Sequence, residues 1–159
     1  MDYQLQVVTL SVTDVDQAAT FYTRQAGFTL DVDFAPTTGF RVVQLTPPGS
    51  ACSIQIGTGL TDAPAGSART TYLAVTDIEA AHRELTERGV EVSDIRHKTP
   101  VHDWKGDWGP GPDPERRDYA SLAGFADPDG NTWVIQEIGF RTPEGAGGGR
   151  PSTEEGFRV

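Results

Sequence analysis

One strand–turn–helix pattern occurs twice in this chain, 63 positions apart, and that duplication narrows the available folds more than any other feature. Leu10, Val12, Thr13, Asp14, Val15, Asp16 and Ala18 are matched by Leu73, Val75, Thr76, Asp77, Ile78, Glu79 and Ala81. In each copy apolar residues first alternate, the period of a half-buried strand. A Thr-Asp pair follows, whose short oxygens can accept from the free N–H groups of a first helical turn. The acidic residue two positions on lies where the helix dipole is positive. Gly27 and Gly89 then stand where a left-handed residue ends a helix. Two unrelated units sharing common capping residues would have no reason to keep seven chemical classes at one offset. Fixed-period similarity is the mark of duplicated architecture.

With 159 residues, 36% of them apolar, one compact domain is expected. Its span is residues 1–140: module one at 4–58, a linker at 59–67 and module two at 68–139. Residues 141–159, with GAGGGRPS and EEG, bury too little apolar surface to order themselves and are expected to form a flexible, glycine-rich tail. The formal charge of −10 argues against nucleic acid, whose phosphates need a basic face. It leans weakly towards neutral or cationic ligands. Cys52 is the only cysteine, so neither an intrachain disulfide nor a cysteine zinc site is available. No signal-peptide pattern and no apolar run of membrane-spanning length is present, and a cytoplasmic location is expected.

Alternation and turn residues place strands at 5–12, 28–34, 40–46 and 51–57 in module one, and at 70–75, 90–96, 119–125 and 132–138 in module two. Helices are expected up to about Gln25 and from Ile78 to Arg88. Each module therefore reads βαβββ. One segment breaks the symmetry. Module one joins its second and third strands by a few residues, whereas module two uses His97 to Asp118. Connections this long are often functional lids. This one carries His102, Asp103, Trp104 and Trp108. The two tryptophans read either as parts of a lid or as anchors packed on the sheet.

The two modules, the repeated VTD[VI][DE]xA turn, Phe21-Tyr22 followed by Gly27-Phe28, and DPDGNTWVIQEI before the end together resemble the vicinal oxygen chelate superfamily, the glyoxalase / bleomycin-resistance / dioxygenase group. The resemblance covers residues 4 to 138. It implies an α+β fold in which two βαβββ modules pair as a curled, mixed-sheet half-barrel around a cavity. It also implies a homodimer, and in metal-dependent members one divalent ion held by His, Glu or Gln from the first and fourth strand of each module. Carried onto this sequence, those positions are Val7, Gln55, Thr70 and Val134. Valine ligates nothing, and one amide with one hydroxyl does not hold a catalytic ion. The expectation is the fold without the metal, and no cofactor.

Strand alternation proposes the cavity lining: Val7 and Thr9, Gln55, Thr70 and Tyr72, Val134 and Gln136, with Trp104 and Trp108 above. Gln55 and Gln136, if buried, would orient a ligand or pair with each other. Apolar walls with a few uncharged hydrogen-bonding groups are the usual make-up of a small-molecule pocket. Two function classes follow. One is a metal-independent binding protein that sequesters an aromatic or amphipathic compound. The other is an enzyme of the same group, lyase, isomerase or dioxygenase-like, using one divalent metal or lid residues that the family pattern does not mark. His102, Asp103 and Tyr72 are the catalytic candidates for it. A third reading is an interaction module that keeps only the fold.

Overall fold

The structure is a computed structural model that describes residues 1–100, 103 and 105–142. The glycine-rich tail from 143 onward, and His102 and Trp104, lie outside the described residues.

Module one comprises β1 (Val7–Thr9), α1 (Val15–Thr20), β2 (Thr29–Thr37), β3 (Phe40–Thr46) and β4 (Ser53–Thr58). Module two comprises β5 (Thr71–Val75), α2 (Ile78–Glu87), β6 (Arg96–Thr99), β7 (Asp107–Pro110), β8 (Ser121–Ala126) and β9 (Thr132–Glu137). The first sheet has the order β1-β4-β3-β2, with β1 parallel to β4 and the other neighbours antiparallel. The second repeats it as β5-β9-β8-β6 and adds β7 at the edge. The sequence repeat is thus a repeat of topology, in two mixed sheets with few helices.

The capping chemistry recurs in both copies. Asp14 accepts from Gln17 N at 3.0 Å, and Asp77 accepts from Glu79 N and Ala80 N at 3.0 Å each. Thr13 does not cap; it binds Asp129 instead. After Thr20 the first helix continues as a π-helical turn, Phe21–Gln25. Gly27 (φ +78°) and Gly89 (φ +87°) then turn the chain through a conformation that a side chain disfavours.

The helix-facing sides of both sheets share one core. Leu10, Val43, Leu45, Ile54 and Ile56 of module one join Ala123, Phe125, Trp133 and Ile135 of module two around Phe21, Tyr22, Ile78 and Leu85. The Phe125 and Trp133 rings stack at 6.1 Å. Tyr22 is edge-on to Trp133 at 5.9 Å, and its hydroxyl accepts from Trp133 Nε1. A polar lock fastens the seam at the other end of these rings. The Asp127 carboxylate takes hydrogen bonds from Tyr22 Oη, Asp129 N, Asn131 N and Asn131 Nδ2, and Asn131 in turn reaches the Ser11 carbonyl. Burial and the Asp127 charge both hold the Tyr22 hydroxyl far above its ordinary pKa, so it stays a proton donor.

Several boundaries differ from expectation. The first strand is only Val7–Thr9, because beyond Thr9 the backbone of β1 parts from β4 after one further bond, Leu10 N to Gln55 O. Residues 90–95 form no strand. Val90, Val92 and Ile95 do turn inward, but the only backbone bond towards β8 there is Ser93 N to Gly124 O. The strand in that place is β6, and it pairs with β7 as well as with β8. Module two therefore has one strand more than βαβββ, built from what read as a loop.

Candidate functional site

Residues paired across a ladder point to the same face of their sheet, so the register assigns each predicted site residue to a side. In the second sheet Tyr72 pairs with Val134 and Val134 with Gly124, while Ala74, Gln136, Leu122 and Arg96 form one row. Lys98 pairs with Trp108. Tyr72, Val134, Gln136 and Trp108 consequently share one face, opposite the core. In the first sheet Val7 pairs with Ser53, and Thr9, Gln55, Gln44 and Val32 form a row. Val7, Thr9 and Gln55 therefore also lie on the side away from the core. The alternation in the sequence brings these residues together as two open faces, one per sheet.

Thr70 departs from this pattern. It precedes β5 in a left-handed conformation (φ +54°), and its N–H donates to Thr132 Oγ1 at 2.8 Å. It belongs to a turn at the sheet end. The two glutamines do not pair with each other: Gln55 Nε2 donates to Thr9 Oγ1 at 2.7 Å, and Gln136 Nε2 to the Tyr119 carbonyl at 3.0 Å. Each keeps its amide oxygen for other partners. Asp103 spends its carboxylate on a local turn, accepting from Lys105 N.

Each open face carries accessible apolar side chains. Phe34 is 56% exposed, Tyr72 55%, Val32 40% and Trp108 39%. Their first- and fourth-strand positions (Val7, Thr9, Ser53, Gln55, Tyr72, Ala74, Val134 and Gln136) include no carboxylate and no imidazole. Among the described residues no group of three or more His, Cys, Asp or Glu is placed to hold a metal ion. The donor set on these faces does not fit the divalent ion of the metal-dependent members.

The segment from 97 to 118 is in good part sheet and clamp. β6 and β7 make it an edge hairpin. Beyond β7, Asp113 is 1% exposed and forms a bidentate pair with Arg117, at 2.8 Å to both Nε and Nη2. Arg116 pairs with the fully buried Glu137 (2.8 and 2.6 Å) and reaches Glu79 at 2.9 Å. Arg116 fastens residues 113–117 to the sheet and to α2, while the Arg117–Asp113 pair closes the segment on itself. The Arg117 guanidinium holds the Asp113 carboxyl below the usual carboxylate range. A depressed folded-state pKa gives stability that is present above the unfolded value, about 3.9, and lost as pH falls through the folded one. Urea midpoints should therefore stay level from about pH 7 to 5 and drop below about pH 4, with a smaller drop in Asp113→Asn.

A cavity of about 390 Å³ lies elsewhere, at the seam between the modules. Phe28, Pro47, Leu73, Val75 and Leu85 line it, with the loose Glu84–Arg88 pair. It straddles the β5 edge on the helix side, and of the predicted site residues it includes Tyr72 alone.

The profile of the Glyoxalase/Bleomycin resistance protein/Dioxygenase superfamily matches residues 4–135. The chain belongs to this superfamily. Among solved structures it is similar to TnmS3, an antibiotic binding protein from Streptomyces sp. CB03234, with 29% identity over 86% of this chain and 96% of that one and a TM-score of 0.64. A glyoxalase/bleomycin resistance protein from the same organism shares 28% identity, covering 84% and 100%, with a TM-score of 0.62. A superfamily member from Sphaerobacter thermophilus DSM 20745 shares 25%, covering 86% and 98%, with a TM-score of 0.63. No curated protein matches the chain. Superfamily membership agrees with the mixed sheets, the strand order and the repeat. Trp108 lies on β7 of the second sheet. It stands on the open face of the added hairpin, with Arg96 Cζ and Lys98 Nζ each 4.4 Å from its ring centroid.

Proposed function

We propose that this chain is a metal-independent small-molecule-binding protein that sequesters an aromatic or amphipathic compound, acting as a homodimer in the cytoplasm. The observation that carries the reading is the chemistry of the two open faces: exposed aromatic and aliphatic side chains, amides with free acceptor oxygens, and no metal-ligating set. Exposed apolar faces of this kind mark a binding surface or an interface. Both sheets turn their other faces into one core, so the two open faces of a single chain lie on opposite sides of it. A closed cavity then needs the first sheet of one copy over the second sheet of another. The likeness to an antibiotic binding protein and to bleomycin-resistance proteins supports the same ligand class.

The test joins sedimentation with tryptophan quenching by a polycyclic aromatic probe, before and after exhaustive chelation. The expected result is a dimer that binds one probe per cavity with unchanged affinity after chelation. Phe34→Asp should split the dimer and weaken binding by roughly tenfold or more, since it places a charge against apolar surface. A monomer that binds no probe, or binding that returns only with a divalent metal, would sink the reading.

A further inference from the structure

Lys98 and Arg96 converge on one indole without a carboxylate between them. Lys98 is 4% exposed, yet its ammonium has one hydrogen bond, 2.8 Å to the Gly106 carbonyl, besides the face of Trp108. Arg96 is exposed, with its Cζ over the same ring. Among the described residues neither forms an ion pair. The chain does not lack acids, with 23 Asp and Glu against 13 Lys and Arg. Three of its arginines are matched with carboxylates, Arg41 with Asp16 and Asp33, Arg116 with Glu137 and Arg117 with Asp113, and Arg69 donates to three backbone carbonyls instead. Asp107, the nearest acid on β7, alternates to the opposite face from Trp108.

The register places this cationic pair at one end of the second open face. Arg96, Leu122 and Gln136 form a row across three adjacent strands. At about 4.8 Å per strand, Arg96 stands about 10 Å from Gln136. A guanidinium held over an indole face without an acid partner keeps N–H donors with which it can grip a carboxylate or sulfonate through two parallel bonds. The buried ammonium beside it adds positive potential in a poorly solvated place.

Resting on the open-face reading above, we infer that the ligand is an aromatic acid: its ring system lies over Tyr72, Val134 and Gln136, and its anionic group docks on Arg96 beside Lys98 and Trp108. The inference reverses the lean towards cationic ligands that net charge alone suggests. A charge total reports the whole surface, and this pair is local.

The experiment uses a matched pair of probes, 2-naphthoate and 2-naphthamide, which differ at the acid group and keep the ring. Wild-type protein should bind the acid at least tenfold more tightly than the amide by tryptophan quenching or calorimetry. Arg96→Gln should remove roughly that tenfold for the acid and leave the amide unchanged. Arg96 is exposed, so the variant should fold; an unchanged urea midpoint checks it. If both probes bind equally in the wild type, or Arg96→Gln weakens both alike, the acid site is wrong while open-face binding stands. If neither probe binds, the open-face reading falls and takes this inference with it.

Discussion

Replacing Arg116 with methionine is expected to lower the stability of the chain by about 3–5 kcal/mol, the range for removing one partner of a buried ion pair. Glu137 is 0% exposed and receives three donors: Arg116 Nε, Arg116 Nη2 and Ile78 N. Without the guanidinium its charge would remain in the core with a single backbone N–H. The loss propagates because Glu137 joins three elements. It lies on β9, it satisfies the first free N–H of α2 through Ile78, and through Arg116 it holds the 113–117 segment. Arg116 also stacks on Phe140 at 3.7 Å. Urea unfolding should show the whole drop as a shift in midpoint. Glu137→Gln should cost less, since the amide oxygen still accepts from Ile78 N and no charge is left behind. If R116M unfolds within about 1 kcal/mol of wild type, the pair contributes as an ordinary surface bridge does, and the clamp account fails.

The same clamp shows where the sequence was legible and where it was not. Asp14 and Asp77 could be read as caps because their partners lie two or three residues away, and the structure keeps both. Strand faces could be read because alternation is a local signal: Tyr72, Val134 and Gln136 fall on one side and Leu73, Ile135 and Trp133 on the other. The Arg116 network carried no such signal. Glu137 is 21 positions from it and Asp77 is 39. Alternation also misled once, because Val90 and Val92 alternate on account of burial rather than pairing. In the other direction, β6 and β7 are polar enough, RHKT and DWGP, to read as loop, although their backbones pair over four registered positions. Thr70 has the parity of Tyr72, but its positive φ takes it out of the strand. What escaped the sequence is therefore mostly long-range polar contact, and the aromatic-acid site is of that kind. Lys98 and Trp108 stand ten residues apart in the chain and directly opposite in the hairpin.

The second large effect is expected at Asp127, where Asp127→Ala should cost roughly 3–5 kcal/mol through unpaired buried donors. The DPDGN stretch marks a turn in sequence, and a turn alone would tolerate alanine at its first position. In the structure the carboxylate is 5% exposed and accepts four hydrogen bonds, one of them from Tyr22 in the other module. Its removal would orphan the Tyr22 hydroxyl and part of the Asn131 amide in the shared core. The Asn131 contacts to Ser11, just past β1 in module one, and to Ala68, at the start of module two, would then lose their anchor. Asp127→Asn separates the two roles of the residue. It keeps an acceptor for Tyr22 and should restore about half of the loss, while dropping the charge that helps to hold the Tyr22 proton. If the lock joins the modules as well as stabilising its own turn, D127A should also broaden the unfolding transition or split it in two. A single sharp transition within about 1 kcal/mol of wild type would show that the aromatic stack of Tyr22, Phe125 and Trp133 holds the modules together without it.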